Sequence, residues 1–158
     1  MLTRLLALVA LLTTVGGCID RIDAPECTPV EFTQASTSGD TITTTTGLRF
    51  IEGTVGQGIA VDWCQTIALH YDAFLLDGTL FDSSRDTDTP LVFSPGLGGL
   101  IDGIEQGVIG VRVGGQRRLI IPPALGFGPQ PRRDENGEVV IPGNSTVVYD
   151  IEVVQVAQ

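Results

Sequence analysis

Few side chains in this sequence could act as nucleophiles, metal ligands or proton carriers. The 158 residues include one histidine, His70, and three cysteines, Cys18, Cys27 and Cys64. These residues are too few and too far apart for a zinc site. The sequence also lacks a Gly-x-Ser-x-Gly elbow, a phosphate-binding loop and a dinucleotide fingerprint. We therefore expect no metal site and no cofactor, and chemistry without a covalent intermediate.

An aromatic residue and a carboxylate stand side by side in residues 78–86, GTLFDSSRD. Phe81 and Asp82 follow an Asp-Gly pair that is typical of a hairpin turn. Taken alone, the pattern is also that of a plain turn after a core phenylalanine. The polar residues beyond it are expected to fix the bend by bonding to the backbone; they are Ser83, Ser84 and Asp86.

The charge of the chain restricts its partners. There are 19 acidic residues against 9 basic ones, none of them lysine, and the net charge is −10. Such a surface repels the phosphate backbone, so we expect no binding to nucleic acid.

The elements that position these residues are mostly strands. Alternating apolar residues predict three of them, namely Arg49–Glu52, Ile59–Phe74 and 146–156. His70 and Tyr71 face opposite sides of the second strand, and a core or surface role for His70 is more common than catalysis. Asp77-Gly78 predicts a hairpin turn. Residues 122–145 are predicted to form a long charged loop.

A single short helix is predicted between the second and third of these strands. Its apolar stripe consists of Leu100, Ile101, Ile104 and Val108. The polar residues expected to face away are Asp102, Glu105 and Gln106. Gly103 and Gly107 weaken the helix by about 1 kcal/mol each, so its stripe must lie on a sheet. The predicted fold class is α+β, an antiparallel β-sheet wrapped around one short α-helix.

The N-terminus is predicted to direct export. Residues 1–17 combine an early Arg4 with an apolar segment that is too short to span a bilayer, as in a signal peptide. Val15–Cys18 resembles the lipobox of bacterial lipoproteins, in which the cysteine is lipid-modified. An ordinary secretory signal ending near a cysteine is the alternative. Ile19 follows Cys18, so the aspartate of the usual inner-membrane retention signal is missing.

Residues 18–46 are interpreted as a lipidated N-terminus and flexible tether, and residues 47–158 as the folded domain. The threonine-rich stretch 37–46 could instead open an edge strand. Export to an oxidising compartment allows a disulfide between Cys27 and Cys64. Two separate thiols remain the alternative, since geometry cannot be read from spacing.

Three segments resemble the FKBP family of peptidyl-prolyl isomerases in order and nearly in spacing. They are HYDAFLLDGTLFDSSRD, LIDGIEQGVIGVRVGGQRRLIIPPALGFG and IPGNSTVVYDIEVVQV. The resemblance covers about Gly47 to Val156, and the combination of FDSS with VGGQRRLIIPP is its most specific part. It implies an FKBP-like fold and a pocket for a proline ring.

Carried over residue by residue, the resemblance assigns two groups of site residues. The proposed catalytic group is Tyr71, Phe81, Asp82, Ile101 and Phe127. The proposed substrate-binding group is Leu91, Leu100, Ile104, Ile141 and Tyr149. In the family, the backbone N–H that matches Ile101 holds a substrate carbonyl, and the carboxylate that matches Asp82 lies at the pocket wall.

The pocket also departs from the family. Ile104 stands where a tryptophan usually forms the floor, Phe127 where a tyrosine is common, and Tyr149 where phenylalanine or leucine is usual. Gly143 replaces the second proline of the usual IPP, and the rim loop 129–140 is longer than in small members. That loop either covers the site or is a solvated insertion without a role.

The sequence thus predicts a lipid-anchored isomerase acting on X–Pro bonds of proteins that fold in the bacterial cell envelope. Its expected partners are proline-containing polypeptides, the membrane through the lipid anchor, and macrolides of the FK506 type. Two alternatives stay open: a module that binds proline segments or unfolded chains with little catalysis, and a structural envelope protein with an unused pocket.

Overall fold

The computed structural model describes residues 26–30, 34–38 and 40–157. The predicted signal peptide 1–17 and the predicted lipidation site Cys18 lie outside this part. Its strands and single α-helix are β1 (Gln34–Ser38), β2 (Thr41–Thr44), β3 (Arg49–Glu52), β4 (Ile67–Leu75), β5 (Leu80–Ser83), β6 (Leu91–Phe93), α1 (Asp102–Gly107), β7 (Gln116–Ile121), β8 (Arg132–Arg133), β9 (Val139–Ile141) and β10 (Val147–Val156). No helix in these residues is long and apolar enough to cross a bilayer.

The main sheet, as far as the described residues show, has eight strands and is antiparallel throughout. Its order is β1-β2-β3-β7-β10-β4-β5, and β6 pairs with the other end of β4. β10 lies at the centre because every second residue is apolar and buried on the core side: Val147, Tyr149, Ile151 and Val153. The sheet and its short helix confirm the predicted α+β architecture.

Two glycines let α1 lie directly on β7. A Cβ atom added at Gly107 would fall 2.5 Å from Cδ1 of Leu119, and one at Gly103 would overlap Ile121. Both leucine and isoleucine are fully buried, so neither can move aside without cost. The glycines that weaken the helix in isolation are therefore what allow its contact with the sheet.

Two polar residues of α1 were predicted to face away, and the structure shows this to be wrong. Glu105 and Gln106 are both buried, while Asp102 is exposed as expected. Gln106 accepts a hydrogen bond of 2.7 Å from the Thr46 hydroxyl, and Glu105 binds backbone amides of the preceding loop. Burial is tolerated because these side chains find hydrogen-bond partners.

Arg117 secures the other end of α1. Its guanidinium is 8% exposed and donates to the carbonyl oxygens of Gly107 at 2.7 Å and Ile109 at 2.9 Å. It also pairs with the Glu52 carboxylate and lies over the Phe50 ring, 4.4 Å from its centroid. These contacts satisfy carbonyl groups that a helix end leaves unpaired.

Three sequence-based boundaries need correction. Residues 34–38 and 41–44 are strands of the sheet, so the folded part starts before Gly47 and this stretch is not a tether. Its β-branched threonines suit an edge strand. Residues 59–66 do not continue β4, because the chain turns at Cys64, whose φ is 68°. The loop 122–145 contains a hairpin of its own, β8–β9.

Cys27 and Cys64 form a disulfide, with their Cα atoms 5.8 Å apart. This distance is typical of a disulfide. The bridge attaches residues 26–30 to the turn before β4. A hydrogen bond of 2.9 Å from the N–H of Thr28 to the carbonyl of Gly96 joins the same segment to the loop before α1. Trp63 also lies beside Gly96. It belongs to the turn that contains Cys64 and not to a strand, contrary to the prediction of a strand over Ile59–Phe74.

Replacing Gly103 with alanine tests the contact between α1 and β7. The added methyl group would overlap Ile121, so we expect the free energy of unfolding to fall by about 1–3 kcal/mol. Helix propensity alone would raise it by about 1 kcal/mol. Urea denaturation measures the difference. Gly99→Ala is the control, because a Cβ there has nothing within 4 Å. A Gly103→Ala protein as stable as the parent would contradict the packing argument.

Candidate active site

A pocket of about 340 Å³ opens beside the start of α1 and the ends of the central strands. Its volume lies in the range usual for small-ligand sites. It is lined by Tyr71, Asp82, Leu91, Gly99, Leu100, Ile101, Ile104, Phe127 and Tyr149. Eight of the ten residues predicted from sequence are thus brought together, although the strands and loops that carry them are far apart in the chain.

Phe81 and Ile141 do not line the pocket, contrary to the prediction for them. The half-buried Phe81 ring packs against two residues of the pocket, with its centroid 6.2 Å from that of Phe127 and 6.0 Å from that of Tyr149. Both pairs are edge-to-face, an arrangement that aromatic rings favour. Ile141 is buried in the core.

Tyr71 and Asp82 form a hydrogen-bonded pair at the pocket edge. The pairing of β4 with β5 brings the two residues together, and the Tyr71 hydroxyl donates to Oδ2 of Asp82 at 2.8 Å. Burial, followed by this hydrogen bond, raises the pKa of Tyr71 to about 12. Tyr71 therefore stays protonated at neutral pH, and its proton is engaged by the carboxylate.

Two serines fix the bend after Asp82, as predicted. The buried Ser84 hydroxyl oxygen accepts the backbone N–H of Tyr71 at 2.8 Å. Ser83 donates to Oδ1 of Asp72 and accepts the N–H of Arg85. Asp86, the third residue predicted to do so, makes no such bond within the described residues. The sequence Phe-Asp-Ser-Ser therefore sets both the aromatic support and the orientation of the carboxylate.

Ile101 presents a free backbone donor to the pocket. It immediately precedes α1 with an extended backbone, φ −66° and ψ 141°. Its N–H makes no hydrogen bond within the part of the chain that the structure describes. An unpaired amide beside an apolar cavity is a suitable donor for a ligand carbonyl oxygen. This is the geometry that the resemblance implied for Ile101.

Glu105 holds the loop that carries these residues, and sequence reasoning missed it. Its carboxylate, 6% exposed, accepts the N–H groups of Gly96 at 2.9 Å and Leu100 at 3.1 Å. Such charge-assisted bonds are stronger than neutral ones. The sequence did contain a feature that could have indicated this role: Glu105 lies four residues after Ile101, on the flank of the apolar stripe of the helix. Glu105 thereby positions Leu100 and the adjacent Ile101.

Ile104, Phe127 and the rim loop, which are expected to depart from the family pattern, all lie at the pocket. Ile104 is buried and lines the cavity as an aliphatic floor. Phe127 offers no hydroxyl, and the Arg132 guanidinium lies 5.5 Å from its ring centroid. Arg132 starts the β8–β9 hairpin, so the long rim loop touches the pocket wall.

A second cleft, of about 410 Å³, lies on the opposite face of the sheet and is larger. Its charged groups are already paired, for example Arg118 with Asp150 and Arg85 with Asp72. It contains none of the predicted site residues, and its apolar side chains are those of Ile51 and Ile151. The smaller pocket is therefore the better candidate for chemistry. No group of three or more potential metal ligands occurs among the described residues.

Comparison with known proteins places this fold and pocket in one family. A family model for FKBP-type peptidyl-prolyl cis-trans isomerases matches residues 60–154. The chain therefore belongs to the FKBP-type peptidyl-prolyl cis-trans isomerase family. The crystal structure of AtFKBP13 aligns with a TM-score of 0.68 and 34% identity, covering 75% of this chain and 100% of that one.

Two relatives illustrate the range of the match. The chain is 42% identical over 116 residues to photosynthetic NDH subunit of lumenal location 4, chloroplastic, of Arabidopsis thaliana. It is 47% identical over 88 residues to FK506-binding protein 2 of Dictyostelium discoideum. These alignments cover 70% and 56% of this chain. The chain spans 54% and 62% of the length of these curated relatives.

Replacing Glu105 with glutamine tests its hold on the loop. One carboxylate oxygen becomes an NH₂ group, which cannot accept, so either Gly96 or Leu100 loses its partner. We expect about 1–3 kcal/mol lower stability in urea and faster hydrogen exchange at these two amides. Asp102→Asn is the control, because it removes an exposed charge from the same helix. Unchanged exchange at both amides would refute this role.

Proposed function

We propose that this chain catalyses cis-trans isomerisation of X–Pro bonds. The observation that carries the proposal is the 340 Å³ pocket, whose aromatic and aliphatic walls enclose a free Ile101 N–H. Membership of the isomerase family supports it. The pocket offers a proline ring an apolar environment and offers an adjacent carbonyl oxygen one donor.

The mechanism requires neither an acid nor a base. Rotation about the X–Pro bond is opposed by amide resonance, with a barrier of about 18–20 kcal/mol. Twisting the bond removes the resonance and with it part of the charge separation between nitrogen and oxygen. An apolar pocket therefore disfavours the planar imide, which water solvates better, relative to the twisted one. Lowering the barrier by about 5 kcal/mol would accelerate rotation several thousandfold.

Each part of the pocket has a physical role in this scheme. Ile104 and Phe127 exclude water from the ring, and the Ile101 N–H holds a carbonyl oxygen. Asp82, tied to Tyr71 at 2.8 Å, places a negative charge at the edge of the cavity. Macrolides of the FK506 type are expected to occupy the same space.

A second candidate is a module that binds proline segments with little catalysis. The aliphatic Ile104 floor favours it, because a smaller floor holds the twisted imide less closely and so reduces catalysis. One relative is named as an NDH subunit and not as an isomerase. This candidate predicts peptide binding without faster exchange between cis and trans forms.

The isomerase proposal is tested with the full-length chain in a protease-coupled X–Pro peptide assay. We expect acceleration that falls at least tenfold in Asp82→Val and in Phe127→Ala, since each removes part of the wall. Leu76→Ala is the control, because Leu76 is an exposed apolar residue of the hairpin turn. If the folded parent protein does not accelerate isomerisation in any of several peptides that differ in the residue before proline, the proposal is rejected.

We also propose that the protein is exported and lipid-anchored in the bacterial cell envelope, where it acts on folding proteins. The support is the lipobox-like Val15–Cys18 sequence and the Cys27–Cys64 disulfide, a bond typical of oxidising compartments. Uncatalysed X–Pro isomerisation takes tens of seconds, so folding chains there would benefit from a catalyst.

Cys18→Ala tests the anchor. In bacteria expressing the full chain, the parent should incorporate labelled palmitate and sediment with membranes, whereas Cys18→Ala should do neither. The measurement is fluorography together with membrane fractionation. Cys27→Ala serves as the control for loss of a cysteine elsewhere. The absence of label from the parent protein would exclude lipidation at this residue. Label that persists in the Cys18→Ala protein would exclude it too.

A further inference from the structure

Tyr149 brings an unpaired hydroxyl into the pocket. The residue is 5% exposed and lines the cavity, with its ring 5.7 Å from that of Tyr71 and 6.0 Å from that of Phe81. Its hydroxyl makes no hydrogen bond within the described residues. No buried side-chain nitrogen or oxygen atom of the described residues lacks a partner, so this unpaired hydroxyl must reach the open part of the cavity, where a ligand can meet it.

The Tyr149 hydroxyl keeps its proton and can therefore donate a hydrogen bond. Burial, with a smaller effect of the nearby Asp82 carboxylate, raises its pKa well above the ordinary value. Oδ2 of Asp82 already accepts the hydroxyl proton of Tyr71. The Tyr71 proton is therefore committed to the carboxylate, whereas the Tyr149 proton is available to a ligand.

Two of the free donors in the pocket could meet the two carbonyl groups of the substrate. An X–Pro segment has two carbonyl oxygens that flank the pyrrolidine ring, one on X and one on proline. The Ile101 N–H and the Tyr149 O–H are both unpaired within the described residues and both belong to residues that line the pocket. Phe127, which lines the same pocket, has no hydroxyl to contribute.

We propose, on the basis of the proposed isomerase function, that the Tyr149 hydroxyl donates a hydrogen bond to one of these carbonyl oxygens while Ile101 holds the other. Tyr149 is then a specificity-determining residue that fixes the orientation of the proline ring in a pocket with a reduced floor. Ligands that keep the ring but lack the second carbonyl lose this contact and bind more weakly.

Tyr149→Phe removes the hydroxyl alone and keeps the ring in the core. With the full-length chain we expect kcat/KM to fall about tenfold and the Kd for a proline peptide to rise by a similar factor. The midpoint of urea unfolding should not fall. Thr44→Val is the control, because it removes a buried hydroxyl bonded to Leu48, away from the pocket. It should leave kcat/KM unchanged.

A kcat/KM and a Kd within twofold of the parent would overturn the proposal and show that the hydroxyl merely meets water. If stability falls in the variant, a second measurement decides. The chain has two tyrosines, so ¹³Cζ-labelled tyrosine gives two NMR signals, which the variant assigns. Saturating proline peptide should shift the Tyr149 signal; an unmoved signal would overturn the proposal.

The same measurements separate this proposal from the proposed function. A parent chain that binds the peptide without accelerating isomerisation would refute the isomerase proposal alone. The Kd ratio between parent and Tyr149→Phe would still decide the role of the hydroxyl. A parent that does not bind the peptide would refute both.

Discussion

The close contact between α1 and β7 is the constraint on which the pocket depends. Gly103 and Gly107 remove the side chains that would hold the helix away from Ile121 and Leu119. Arg117 fixes the helix end, as its guanidinium binds the last carbonyl oxygens. Since the pocket floor and the free amide lie at the start of this six-residue helix, a shift of the helix would alter the cavity itself.

The sequence was informative where a local rule decides the structure. Alternation of apolar residues located β10 and most of β4, and Asp77-Gly78 located the hairpin, with Gly78 at φ 89°. The resemblance to the FKBP family located most of the pocket residues, because the family's motifs carry these residues at fixed positions. The family assignment and the antiparallel sheet with one short helix were predicted correctly.

The parts that sequence reasoning misplaced depend on contacts distant in the chain. Glu105 is buried because loop amides from Gly96 and Leu100 require an acceptor, which helical periodicity does not reveal. Residues 34–38 and 41–44 gain their strand partners only through the sheet edge. Phe81 packs against Phe127 and Tyr149 without being among the residues that line the cavity, a distinction that a motif cannot convey.

The central claim is that the apolar pocket holds an X–Pro bond and eases its rotation. NMR exchange spectroscopy on a proline peptide, with a small fraction of full-length protein carrying labelled isoleucine methyls, tests it most directly. The account predicts cis-trans exchange much faster than the uncatalysed tens of seconds, with peptide-induced shifts at Ile101 and Ile104. Exchange at the uncatalysed rate, or shifts confined to residues outside the pocket, would contradict it.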